Sequence, residues 1–325
     1  MSPYVIKKRK IRIRVEDDTE RQTRPPGKVR RALLQISLAL LVTIAAGVSF
    51  FWYTGQVIPP YKGSGSAWSA QWRPLFQGIE YTQGVINDPR PMKIHVLRVD
   101  LQAPGVEIVV TPPIAAPSDG AEAVTQTTSA FLEKTKCQVA VNATLYNPVV
   151  KFSGKPVDIL GLSVSGGEKY SEAASNLHAV GWTEDRVTHY ARPDFEDGVD
   201  IVNGVGGMWM FVVDGEVQPA DSESPLPRTM VGTSRDGQYL FLAVIDGRQP
   251  GYSEGALSPE AARLMVEVGA WNVLNLDGGG SSTMAVRNSL GRGVVVNRPC
   301  SPIIPGLQRP VANHLGIRAQ PLSGN

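Results

Sequence analysis

The sequence has 325 residues, of which 42% are hydrophobic and 19% charged, with a formal net charge of +2. That balance excludes a wholly disordered chain and gives no support to a nucleic-acid binder that works through bulk positive charge. Its 33 glycines and 25 prolines predict many turns and short strands rather than long helices.

From the N-terminus, residues 1–31 form a basic tail. It holds eleven Lys or Arg against Glu16, Asp17, Asp18 and Glu20, a net +7 that leaves −5 for everything after it. Residues 32–53 follow without a single charge and end in Phe50, Phe51, Trp52 and Tyr53. At about 1.5 Å per residue this run is long enough to span a bilayer core. A cleaved signal peptide has an apolar part of only about 7–15 residues, so a retained transmembrane helix is the expectation. The flanking positive charge keeps the N-terminus in the cytoplasm and places the remainder outside it. Residues 54–75 contain Pro59-Pro60 and Gly63-Ser64-Gly65-Ser66, the composition of a linker.

One large domain is expected over 76–320. Apolar runs at 94–101, 106–110, 138–142, 201–213, 239–246, 273–277 and 294–297 read as buried strands. Two helices are expected. One covers 123–135; the other starts at Ser258 as N-cap, carries Pro259 and Glu260 in its first turn and stops at Gly269. The stretch 239–277 thus reads strand, loop, helix, strand, with the two strands as parallel neighbours. The fold class is α+β: a mixed, sheet-rich single domain with few helices, preceded by one transmembrane helix.

Leu274-Asn275-Leu276-Asp277-Gly278-Gly279-Gly280-Ser281-Ser282 carries a carboxylate at a strand end, then three glycines whose backbone N–H groups can form a nest for an anion such as phosphate. The plain alternative is a tight glycine turn. Asp246 ends another strand, before Gly247-Arg248-Gln249-Pro250-Gly251-Tyr252. Two carboxylates at one sheet edge fit an acid/base or nucleophile/acid pair for glycoside cleavage; either can also cap a turn. Arg228 offers a planar fork to phosphate, with an ordinary ion pair as its plain alternative. Asn142 and Asn203, at strand ends, are hydrogen-bonding candidates for sugar hydroxyls. His95, His178, His189 and His314 are scattered, so no metal site is expected; no cofactor is predicted, although Asp-rich loops have the oxygen chemistry for Ca²⁺ or Mg²⁺. Cys137 and Cys300 are equally readable as a disulfide or as two free thiols.

In order and spacing these motifs resemble the phosphodiester glycosidase family. The stretches that carry the resemblance are Pro-Arg-Thr-Met-Val-Gly at 227–232, Ala-Val-Ile-Asp-Gly-Arg-Gln-Pro-Gly-Tyr-Ser at 243–253 and Leu-Asn-Leu-Asp-Gly-Gly-Gly-Ser-Ser-Thr-Met at 274–284. Val-Asn-Arg-Pro at 296–299 and Arg-Pro-Val-Ala-Asn-His-Leu-Gly at 309–316 extend it. The resemblance implies removal of a sugar from a sugar-1-phosphodiester, in cell-envelope or exopolysaccharide metabolism for the bacterial members. It implies Asp277 and Asp246 as catalytic residues and Arg228, Asn142, Asn203, Asn275, Gly278, Gly279, Gly280, Ser281, Ser282 and Arg309 as substrate-binding ones. Ala143-Thr144-Leu145-Tyr146 replaces the family's small glycine pair and aromatic. The rival expectations are a non-catalytic glycan-binding or envelope-assembly module and a metal-dependent phosphoesterase.

Overall fold

The structure is a computed structural model that describes residues 31–32, 34–45, 68–113, 120–219, 224–301 and 304–322. The chain divides into two units, 1–53 and 54–325. In the first, the described residues of 31–45 are helical, with Leu34, Ile36, Leu38, Leu40 and Leu41 exposed. Among the described residues, no helix is long and apolar enough to cross a membrane. The expected tail up to residue 30, the end of the expected span (46–53) and the linker up to residue 67 lie outside the described residues.

The second unit contains strands β1 (Arg73–Phe76), β2 (Ile79–Ile86), β3 (Met92–Asp100), β4 (Glu107–Val110), β5 (Ala123–Val124), β6 (Val139–Asn142) and β7 (Leu145–Asn147). It continues with β8 (Pro156–Leu160), β9 (Ser163–Ser165), β10 (Glu168–Ser171), β11 (His178–Trp182), β12 (Thr188–Ala191), β13 (Asn203–Gly207) and β14 (Met210–Val213). The last are β15 (Glu216–Val217), β16 (Arg228–Thr233), β17 (Tyr239–Ile245), β18 (Asn272–Asn275), β19 (Met284–Arg287), β20 (Gly293–Val295) and β21 (His314–Arg318). An eight-stranded sheet has the order β1-β2-β3-β17-β16-β18-β14-β15, and a five-stranded sheet the order β20-β19-β6-β21-β4. A second five-stranded sheet, β10-β9-β13-β11-β12, and a small one, β5-β8-β7, complete the unit.

Side-chain alternation builds the layers, because successive residues of a strand face opposite sides. In β16 and β17, Val231, Leu242 and Val244 face a core shared with Val139 and Val141 of β6 and Leu315 and Ile317 of β21. Met230, Ala243 and Ile245 face the other way, onto Ala261, Leu264 and Met265 of the Ser258–Glu267 helix. A Thr128–Thr135 helix covers the outer side of the five-stranded sheet through Phe131 and Leu132 against Ala140 and Ala285. The order across the molecule is therefore helix, sheet, sheet, helix. Central strands covered on both faces account for their continuous Val, Ile and Leu runs.

Several expectations are corrected. All the strand pairings described are antiparallel, and β17 and β18 are parallel to each other but not adjacent, since β16 lies between them and pairs with both. A tight turn folds β16 onto β17, so the crossover helix must deliver β18 to the free side of β16. The expected helix at 123–135 is shorter: Ala123–Val124 is a strand, and the Thr127 hydroxyl accepts the Ala130 N–H and starts the helix there. Ser258 is the first helical residue rather than the cap, and Glu260 reaches back to accept the Leu257 N–H. The run 201–213 breaks into β13 and β14, which belong to different sheets. The domain starts before residue 76, with β1 at Arg73 and with Trp68 and Trp72 packed against the helix-side core. Of the two readings left open for Cys137 and Cys300, the structure has the free thiols.

Candidate active site

The carboxyl ends of β17 and β18 and the amino end of β16 meet at one edge of the large sheet. Asp246 and Asp277 follow the outer two strands, and Arg228 opens the strand between them, opposite Ile245. Three parts of the predicted site thus share one edge.

Asp246 is 1% exposed and its carboxylate is saturated. Oδ1 accepts the Asn297 Nδ2–H at 2.9 Å and the Arg298 N–H at 3.0 Å. Oδ2 accepts the Tyr252 hydroxyl at 3.3 Å and shares the Arg298 N–H at 3.0 Å, with His95 Nε2 at 3.7 Å. Tyr252 is itself held between the Lys93 ammonium, 3.6 Å from its ring centre, and the Arg298 guanidinium, 4.7 Å away. Asp246 therefore ties the loops after β17 and β20 together.

Asp277 has a different setting. Its peptide is fixed by its N–H to Ala143 O at 2.9 Å and by Asn142 Nδ2 donating to its carbonyl at 2.6 Å. The residue as a whole is partly exposed, but its carboxyl group is buried, with Ser281 and the Gly278 N–H as close partners. Burial raises its pKa to about 6, and hydrogen bonds from Ser281 and the charge of Arg309 offset part of the rise.

The glycines after Asp277 wind into a single 3₁₀ turn, Gly279–Ser281. Gly279 has φ +60°, which favours glycine, and a Cβ at Gly280 would stand 2.2 Å from the Arg309 guanidinium. Several N–H groups of the expected anion nest are used within the protein: those of Ser281 and Ser282 donate to Gly278 O and Gly279 O in the turn, and that of Gly279 donates to Pro227 O. Positive charge comes instead from side chains. Arg309 lies on Gly280 and reaches Ser281 Oγ at 3.5 Å, and Arg248 lies over Gly279, 3.2 Å from where a Cβ would be. Arg228 is buried, donates from Nε to Ala256 O at 3.2 Å and stacks 5.5 Å from the Phe211 ring. Burial, and then the charge of Arg248, lower the Arg228 pKa to about 10, so it stays charged at neutral pH.

The remaining predicted residues separate into two groups. Ser281 and Ser282 are in the turn, and the buried Ser282 Oγ has no hydrogen-bond partner. Asn275 is buried beside Met208, with Nδ2 on its sulfur at 3.3 Å and Oδ1 unpartnered. Asn142 is fully buried: its Oδ1 accepts the Thr229 hydroxyl at 2.9 Å and the Thr283 N–H at 3.0 Å while Nδ2 donates to the Asp277 carbonyl, so that it positions the turn. Asn203 is not brought to the edge; it sits at the far end of β13, bonding Ile108 O and the Gly166 N–H.

Sequence reasoning did not single out Arg248, Tyr146 or Asn297. Arg248 directly follows Asp246-Gly247 and adopts φ +58°, a conformation unusual outside glycine. The Tyr146 hydroxyl donates to Pro310 O at 2.9 Å and adjoins Ser281, and burial pushes its pKa up to about 12. The segment 143–146 therefore sits directly behind Asp277. Among the described residues, no three His, Cys, Asp or Glu side chains are grouped to hold a metal.

The Asp277 turn thus carries one carboxyl group with the Arg309 and Arg248 guanidinium groups against its glycines, and Arg228 opens the neighbouring strand. The family model for phosphodiester glycosidases matches residues 135–318, more than half of the chain, and the chain belongs to that family. Similar folds occur in a hypothetical protein from Synechocystis, with TM-score 0.59, 15% identity and 78% of this chain covered. That match spans 64% of the Synechocystis chain, less than two thirds of its length. The catalytic domain of zebrafish N-acetylglucosamine-1-phosphodiester alpha-N-acetylglucosaminidase, auto-inhibited by its pro-peptide, has TM-score 0.57 at 19% identity, covering 78% of this chain and 86% of that one. A Burkholderia pseudomallei protein has TM-score 0.53 at 16% identity, with 70% and 74% covered. No match is found among curated proteins.

Proposed function

We propose that this domain hydrolyses a sugar-1-phosphodiester at the bond between the anomeric carbon and its oxygen. The observation that carries the reading is the setting of Asp277, a carboxyl group with a pKa near 6 beside Arg309, with Arg248 on the same turn and Arg228 at the same sheet edge. At neutral pH Asp277 is ionised, ready to attack the anomeric carbon or to take a proton from water. The C1–O bond breaks with its electron pair passing to the phosphate oxygen. Water supplies the hydroxyl that ends on the sugar, and the other product is a phosphate monoester.

The arginines stabilise the charge that grows on the departing phosphate, a favourable use of fixed cations in a partly dry site. A phosphate monoester leaves more readily than a sugar alkoxide, so no second carboxylic acid is needed. Asp246, expected from sequence as one member of a catalytic carboxylate pair, is on this reading a positioning residue. The charge-free run at 32–53 and the basic tail before it support a membrane-tethered enzyme with its domain outside the cytoplasm, acting in cell-envelope or exopolysaccharide metabolism. A topology reporter fused at the C-terminus that is active only in the cytoplasm contradicts that tether.

The direct test is sugar release from a panel of sugar-1-phosphodiesters, a nucleotide sugar included, by the full chain and by Asp277→Ala. Release that disappears in the variant supports the reading. A folded chain that releases nothing but still binds glycan is the non-catalytic module, and turnover abolished by chelator points to a metal-dependent phosphoesterase.

A further inference from the structure

Next to the Asp277 turn, a cavity of about 160 Å³ is lined by Val149, Val150, Leu307 and Pro310, with Lys151, Ser301 and Gln308 at its polar positions, and it also touches Gly280 and Arg309. Its lining is mainly hydrocarbon. Val149 and Leu307 are 60% and 48% exposed, and Ile304, three residues before Leu307, is exposed as well. Open apolar side chains grouped around a concave site mark a place where an apolar ligand is received.

Arg309 belongs to both places. Its Nη1 reaches Ser281 Oγ in the Asp277 turn, while the residue also lines the cavity. A phosphate held by Arg309 would stand between the Asp277 turn and the cavity, and the cavity's mainly hydrocarbon surface favours the less polar of its two ester groups. We infer that the alcohol esterified to the phosphate is apolar, an alkyl or isoprenoid chain whose first carbons occupy this cavity. The inference rests on the phosphodiester glycosidase reading and names its substrate class: hydrolysis leaves the P–O–alkyl bond intact and yields free sugar and an alkyl phosphate.

The test compares kcat/KM of the full chain on two phosphodiesters of the same sugar, one esterified to 3-methylbutanol and one to glycerol. The branched alkyl ester is expected to be favoured by about tenfold or more, through KM, the scale of a few methylene contacts. Leu307→Asp and Val149→Asp are each expected to collapse that preference toward one, while Leu290→Asp, at an exposed apolar position elsewhere, keeps it. Equal kcat/KM for both esters in the wild-type chain, or a preference that survives both cavity variants, overturns the inference and leaves the glycosidase reading standing. Failure to cleave either ester, with the chain folded, overturns both.

Discussion

Asp246 and Asp277 end parallel strands on either side of β16, yet their surroundings assign them opposite work. Every lone pair of Asp246 that faces protein has a donor, from Tyr252, Asn297 or the Arg298 backbone. Asp277 keeps only Ser281 and one backbone N–H close and carries a pKa raised by burial. The donors around Asp246 hold it in place, whereas Asp277 has fewer and its pKa is raised toward neutrality by burial. Equal position at a sheet edge does not confer equal chemistry; the donors around the group do.

The comparison breaks most visibly in activity. Asp277→Ala is expected to lower kcat/KM by at least about 10³-fold, the loss of a group acting only in the transition state, while the melting temperature stays within a few degrees of wild type. Arg309→Ala is expected to lose about 10–100-fold in kcat/KM, the worth of one charged hydrogen-bond donor to phosphate; steady-state kinetics reads it. Asn142→Ala strands the Thr229 hydroxyl, the Thr283 N–H and the Asp277 carbonyl in a buried place, so a loss of about 2–4 kcal/mol in denaturant titration is expected.

The pH profile sharpens the contrast by a smaller effect. With Asp277 acting in its ionised form, log kcat/KM climbs about one unit per pH unit below about 6 and is flat above it. The sign for stability is the reverse of an ordinary salt-bridged carboxylate. The native chain holds the Asp277 proton more tightly than the unfolded chain, so lowering the pH from 7 toward about 4 stabilises wild type relative to Asp277→Asn. Melting curves of the two proteins across that range check it.

Much of the central sheet was legible because its strands are covered on both faces and spell continuous apolar runs, as at 239–245 and 139–142. Their pairing was not legible, since nothing local in β17 or β18 says that β16 will lie between them. The sharp motif around Asp277 and the glycines could be read directly, but the use of its N–H groups could not, because that depends on Pro227 from another strand. Asn142 and Asn203 look alike in sequence, each near a strand end. Only the tertiary structure places the first under Asp277 and the second at the far end of β13. Arg248 was hidden in plain view, one residue past the Asp-Gly that drew attention.

The most direct measurement is a paired one: sugar release and thermal melting on the same preparations of Asp277→Asn and Asp246→Asn. The expected result at neutral pH is that Asp277→Asn melts no lower than wild type and is inactive, whereas Asp246→Asn loses about 2–3 kcal/mol, some 5–10 °C in melting temperature, and still turns over substrate below its transition. An Asp246→Asn chain that melts normally but is dead, beside an active Asp277→Asn, contradicts the account.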